Sequence, residues 1–197
     1  MKNIICVSQK SVCIEDFFSR VEKIMQEEVF AFILREKELS KKDYEQLARE
    51  LQKRFTHFKT PLFLNGDFEL ACTLGLPVQI SFSMYEKLES SPVSVGISIH
   101  SIEEAHYIAH TKKDIEISHI IAGHIFVTDC KKGLAPRGLN FLQNVCKEIN
   151  GKIPVFGIGG ISPENIELVR KAGAKGGAIM SSCMKTENVQ NLCELLK

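Results

Sequence analysis

His124, Thr128, Asp129, Cys130, Lys131 and Lys132 crowd into the segment Gly123–Gly133, directly behind the apolar run Ile117–Ala122. The run reads as a buried strand, and the segment after it as a polar, basic loop. A ring nitrogen, a hydroxyl, a carboxylate, a thiol and two ammonium groups in one loop suit the handling of protons and anions. His124 leads the candidates for catalysis. A lone histidine at a strand end is more often structural, but this one sits beside Gly123 where strand meets loop. An imidazole with an unperturbed pKa of about 6.5 suits proton transfer at neutral pH. A positioned base of that kind contributes about 10²–10⁴ in rate. The lysines beside Cys130 would favour its thiolate, but no histidine–cysteine pair is legible, and Cys130 is read as a spectator.

A second set of residues suits an anion. Gly159-Gly160 follows the apolar run 154–158 and exposes backbone N–H groups with no Cβ in the way. Ser181-Ser182 follows the run 177–180 and offers hydroxyls and N–H groups at a helical start. Arg35 and Lys37 directly follow the run 31–34, and a guanidinium there could clamp a carboxylate or phosphate in bidentate fashion. Glu36 between them reads as their surface partner. Lys131, Lys132 and Arg137 read either as a solvated loop or as neutralising groups for an anionic substrate. Asn65 and Ser98 also end apolar runs. His106 and His110 stand at i, i+4, a metal-compatible spacing, but no third ligand accompanies them, so a solvated helix face is expected. His57 and His119 have no special context.

These residues need a scaffold that collects strand ends. Short apolar runs at 4–7, 31–34, 62–64, 78–80, 94–97, 117–122, 154–158 and 177–180 alternate with amphipathic stretches. Helices are expected over 14–25, from Ser40 to about Phe55, over 68–74, around 85–88, after the cap Ser101 to Ala109, over 139–149, from Ser162-Pro163 to Ala172, and over 188–196. Eight strand–helix pairs recurring roughly every 25 residues predict a parallel (β/α)8 TIM barrel rather than an open doubly wound sheet. The barrel is preferred because Arg35, Asn65, Ser98, His124, Gly159 and Ser181 would converge on one face. In such barrels the loops after strands seven and eight frequently hold phosphate.

Composition narrows the class. With 197 residues, 44% hydrophobic, the chain can bury a full core as a single domain spanning 1–197. Lys+Arg (25) balance Asp+Glu (24), which argues against nucleic acid or a membrane surface as partner. Seven scattered cysteines without a CxxC pair, and an opening apolar run too short for a leader, lead to the expectation of a reduced, cytoplasmic protein. Exposed barrel helices suit a homodimer, although the oligomeric state stays open.

On four segments the chain resembles the thiamine phosphate synthase/TenI superfamily over essentially its whole length. Leu34-Arg35-Glu36-Lys37 is similar to the family's segment after strand two, and Asn65-Gly66-Asp67-Phe68-Glu69-Leu70-Ala71 to its Asn-led segment after strand three. Gly96-Ile97-Ser98-Ile99-His100-Ser101 is similar to its Gly-x-Ser segment, and Ile158-Gly159-Gly160-Ile161 to its phosphate turn. The resemblance implies one of two activities. The synthase joins a pyrimidine diphosphate to a thiazole phosphate with Mg²⁺, and its pattern has an Asp after the strand-three Asn and another after strand four. Here the first place is Gly66, and the second region, Val78–Met84, has no carboxylate. Gly123–Gly133 resembles instead the strand-six motif of the TenI-type thiazole tautomerase.

The resemblance therefore leads to the expectation of an isomerase. It would aromatise a thiazole phosphate carboxylate, with His124 ferrying a proton and no metal or other cofactor. Gly159, Gly160, Ser181, Ser182 and Thr128 would hold the phosphate, and Arg35, Lys37 or Lys131 an anionic group. Asn65 and Ser98 would position the ring. The synthase, with Mg²⁺, is the alternative, and a non-catalytic ligand-binding regulator the second.

Overall fold

Eight parallel strands close on themselves in chain order. They are β1 (Lys2–Val7), β2 (Val29–Leu34), β3 (Leu62–Asn65), β4 (Val78–Ser81), β5 (Val95–Ile99), β6 (Ile117–Gly123), β7 (Val155–Ile158) and β8 (Gly176–Ile179). The computed structural model describes residues 1–128 and 133–197. Helices α1 (Phe17–Gln26), α2 (Lys41–Phe55), α3 (Phe68–Leu74), α4 (Phe82–Tyr85), α5 (Ile102–His110), α6 (Gly138–Ile149), α7 (Ile166–Lys171), α8 (Ser181–Lys185) and α9 (Val189–Leu196) surround them. Ring closure comes from β1 pairing with β8, Ile5 opposite Ala178. The expected TIM barrel is thus the observed fold.

The strands are apolar on both faces because both faces are buried. Their period of two sorts the core into two clusters. Ile4, Cys6, Phe32, Leu34, Leu64, Ile97, Ile99 and Ile120 point outward against the helices. Ile5, Val7, Ala31, Ile33, Phe63, Ile121, Phe156 and Ala178 point inward and fill the barrel. The same alternation carries Arg35, Asn65, Ser81, Ser98 and Gly123 to the inner side at the strands' C-terminal ends, with Gln79 one layer below them.

Local capping chemistry explains which helix starts were foreseen. The Ser40 hydroxyl accepts from the Asp43 N–H, and the Ser101 hydroxyl from the Glu104 N–H, satisfying otherwise orphaned donors. Three expectations are corrected. Helix α1 begins at Phe17, because the Asp16 carboxylate takes the Ser19 N–H and sets the cap there; Ile14 stays outside, 56% exposed. Helix α7 begins at Ile166 rather than Pro163. Asn165 spends its side chain backwards on the Ser162 N–H and the Gly160 carbonyl, making 162–165 a turn. Near residue 85 the helix is a single turn placed earlier, Phe82–Tyr85, with Ser81 as its cap.

One seam in the wall bears on the mouth. Tyr44 of α2 donates its hydroxyl proton to the Leu34 carbonyl (2.8 Å) and accepts from the Asn65 N–H (3.0 Å). It thus bridges β2 and β3 where they part, and burial pushes the phenol up to about 12. Among the described residues Cys6, Cys13, Cys72, Cys146, Cys183 and Cys193 are free thiols. Among the described residues, no helix is long and apolar enough to cross a membrane.

Candidate active site

The mouth of the barrel holds a cavity of about 550 Å³. Its wall includes Arg35, Lys37, Asn65, Ser98, His124, Thr128, Gly159, Gly160, Ser181 and Ser182. Of the other candidates, Arg137 is not in this wall, and Lys131 and Lys132 lie outside the described residues together with Asp129 and Cys130. A neighbouring recess of about 400 Å³, lined by Glu36, Tyr44 and Asp67, shares Lys37, Asn65 and Gly66 with the main cavity.

On the β7–β8 side the chain is built for close approach. Gly159 has φ +97, and a Cβ there would lie 2.4 Å from the Cβ of His124. Gly160 has φ +65, and a Cβ there would meet the Val127 carbonyl at 2.6 Å. Only glycine fits such a turn at no cost. The turn is fastened to the β6 loop by the Phe126 N–H on the Gly159 carbonyl (3.0 Å), and to α7 by the Asn165 amide on the Gly160 carbonyl (2.8 Å). Ser181 and Ser182 open α8 at this wall, and Met180 at its cap position makes no side-chain cap bond.

On the β2–β3 side the groups are cationic. Arg35 Nη1 lies 3.7 Å from the Met180 sulfur, and its backbone N–H donates to the Ser8 hydroxyl at 2.8 Å. Glu36 is not the surface partner expected for Arg35 and Lys37. Its carboxylate accepts from the buried Ser8 hydroxyl (2.5 Å) and from the Lys10 N–H (2.9 and 3.0 Å), tying the β1 and β2 loops together. Arg35 and Lys37 both line the cavity, and Lys37 also borders the recess that holds Glu36 and Asp67.

His124 is 9% exposed, and its Nε2 lies 3.3 Å from the Leu134 carbonyl. A carbonyl only accepts, so Nε2 is the donor in this contact. His100 had no role in the sequence reading. Its Nδ1 donates to the Gly123 carbonyl at 2.8 Å, and the same oxygen accepts from Arg137 Nε at 3.1 Å. Arg137 is therefore a brace of the β6 end, with Phe141 under its guanidinium at 5.6 Å, rather than loose loop charge.

The floor of the cavity was also missed. His119 is fully buried inside the barrel, its Nε2 2.8 Å from Gln79 Oε1, and Gln79 Nε2 donates to the Ser98 hydroxyl at 2.9 Å. Phe30, Phe63 and Phe156 surround the ring, with centroids 5.7, 5.0 and 6.1 Å away. Burial drops its pKa from 6.5 to about 3, so His119 is neutral. Gly96 makes this layer possible: a Cβ there would stand 2.2 Å from Gln79 Oε1 and 2.6 Å from His119 Nε2. The signal in the sequence was a polar residue in the middle of each of two apolar strands.

A closed parallel barrel with glycines and serines at its seventh and eighth loops belongs to the (β/α)8 class, in which those loops frequently hold a phosphate. A model of the thiamine monophosphate synthase family matches residues 4–183, and the chain belongs to that family. The chain is similar to thiamine-phosphate synthase of Lysinibacillus sphaericus, 32% identical over 187 residues covering 90% of this chain and 85% of that one. It is also similar to thiamine-phosphate synthase of Clostridium acetobutylicum, 27% identical over 207 residues covering 100% and 95%. The solved structure of thiamine phosphate pyrophosphorylase from Pyrococcus furiosus shares the fold, with TM-score 0.79, 22% identity and coverage of 98% and 93%. These comparisons overturn the expected tautomerase: the relatives carry the name of the synthase, the transferase kept as the alternative.

The synthase alternative implies Mg²⁺, which needs hard oxygen donors at the cavity. Among the described residues, no Asp or Glu lines the cavity. Asp67, one position beyond Gly66, gives Oδ1 to the Leu70 N–H as the cap of α3 and lines the neighbouring recess instead. Mg²⁺ draws most of its binding from carboxylates and phosphates. Asn65, Gln79, Ser81, Ser98 and Thr128 supply neutral oxygens only, so this donor set does not fit a carboxylate-held Mg²⁺.

Proposed function

We propose that the chain is a transferase that joins a hydroxymethylpyrimidine diphosphate to a thiazole phosphate, forming thiamine phosphate and releasing diphosphate. The observation that carries this reading is that two residue sets suited to anions, the Gly159-Gly160 and Ser181-Ser182 turns and the Arg35 and Lys37 cations, line one cavity in a chain of the thiamine monophosphate synthase family. Two phosphorylated substrates need two such sets. Gly159, Gly160, Ser181, Ser182 and Thr128 would hold the thiazole monophosphate. Arg35 and Lys37 would hold the diphosphate across the mouth.

The bond changes are simple. The bond from the pyrimidine methylene carbon to the diphosphate oxygen breaks, and the oxygen keeps the electron pair. The thiazole nitrogen, which carries no hydrogen, forms the new carbon–nitrogen bond. No proton has to move, so His124 is assigned to the wall, where it packs beside Gly159 and shapes the phosphate turn. Negative charge grows on the leaving diphosphate, and fixed cations aimed at that charge stabilise the transition state. Asn65 and Ser98 would orient the rings, and anchoring both substrates supplies the alignment that removes much of such a barrier. Purified protein given both substrates should release thiamine phosphate and diphosphate in equal amounts, read by mass spectrometry. Absence of product with both substrates at saturation refutes the assignment.

A further inference from the structure

His106 and His110 lie one turn apart on α5, and the third group comes from the neighbouring helix: Glu148 of α6. Glu148 Oε1 is 2.7 Å from His106 Nδ1 and 3.6 Å from His110 Nδ1. The two rings stack with centroids 4.1 Å apart at 28°. One ligating atom from each of the three residues lies within 4.8 Å of the others. Zinc with bonds of about 2.0–2.2 Å in a tetrahedral site separates neighbouring donors by about 3.4 Å. Ligating atoms within 4.8 Å of one another stand about 1.4 Å or less beyond that value, and both histidine side chains are more than half exposed, able to close the difference by rotation.

An ion pair would need one imidazole; here two face the same carboxylate oxygen. His110 Nδ1 also donates to the His106 carbonyl at 2.9 Å, which fixes the tautomer and leaves the Nε2 lone pair for a metal. His110 ends α5 and Glu148 stands in the last turn of α6, so two helix C-termini add negative potential where a cation would sit. Helices of this fold run against the strands, so this cluster lies at the end of the barrel opposite the mouth. Two imidazoles and one carboxylate suit zinc, nickel or copper rather than magnesium or calcium.

The geometry points to a divalent transition-metal site formed by His106, His110 and Glu148, with water in the fourth position, clamping α5 to α6. Zinc titrated calorimetrically into the full chain, with its thiols kept reduced by a phosphine, should bind at one equivalent and raise Tm. His106→Gln and His110→Gln should each weaken binding at least about tenfold and remove the rise in Tm. Glu148→Gln should weaken binding in the same direction. Cobalt in place of zinc should show d–d bands without a sulfur charge-transfer band. No saturable binding overturns the site, and so does binding that both histidine substitutions leave unchanged. A sulfur-to-cobalt band would place the ion on cysteine and overturn it equally.

Discussion

Acid should loosen this barrel through one ring. His119 is fully buried and lies near pKa 3 in the fold, against 6.5 for an unhindered imidazole. A depressed histidine pKa means that the unfolded chain takes up a proton below pH 6.5 which the folded chain refuses until about pH 3. Its contribution to stability is therefore complete above pH 6.5 and declines as pH falls through that window. Linkage gives a loss of about 2 kcal/mol between pH 8 and pH 5, and a little over 3 kcal/mol by pH 4. With a urea m-value of about 2 kcal/mol/M, the midpoint should drop by about 1 M at pH 5. Carboxylates such as Glu194, held down to about 2 by Lys197 and Lys2, add their own acid sensitivity, so the readout is a difference. His119→Gln keeps a donor for Gln79 but cannot titrate, and its midpoint should fall by about 1 M less over the same interval. If wild type and variant lose stability in parallel, the reasoning is refuted. A ring resonance of His119 that titrates near pH 6.5 in the folded protein refutes it without any variant.

Gly96→Ala should force Gln79 and His119 apart and cost about 1–3 kcal/mol, lowering Tm by about 2–4 °C for each kcal/mol in thermal melts. Tyr44→Phe keeps the volume but strands the Leu34 carbonyl and the Asn65 N–H, and should cost about 1–3 kcal/mol in urea unfolding. Arg35→Ala should slow thiamine phosphate formation about 10²-fold or more in steady-state kinetics, with the thiazole KM nearly unchanged. Gly159→Ala, at φ +97, should do the opposite: thiazole phosphate KM rises about tenfold or more, which one substrate titration will show.

Much of the architecture was legible because both strand faces are buried and the capping residues are strong. Ser40 and Ser101 mark helix starts by chemistry that acts within four residues. Ser162-Pro163 misled because the same dipeptide also opens a turn, and Asn165 outcompetes it by bonding backwards. Convergence of Arg35, Asn65, Ser98, His124 and Gly159 followed from strand order alone. His119 and Gln79 did not, since they are 40 residues apart and meet only when the barrel closes. Glu148 was hidden from His106 for the same reason, at a separation of 42 residues. The Gly123–Gly133 segment resembles one branch of the family while relatives aligned over most of the chain carry the name of the other, the synthase, so one loop is a poor guide to the branch.

The Tyr44 bridge has one more consequence. Where neighbouring strands would normally stitch directly, a phenol supplied from outside acts as a removable pin between Leu34 and Asn65. The two compartments that share Lys37, Asn65 and Gly66 adjoin at that spot. The rim of this barrel is thus tied at that spot by a side chain lent from α2, above the backbone pairing of Leu34 with Leu64.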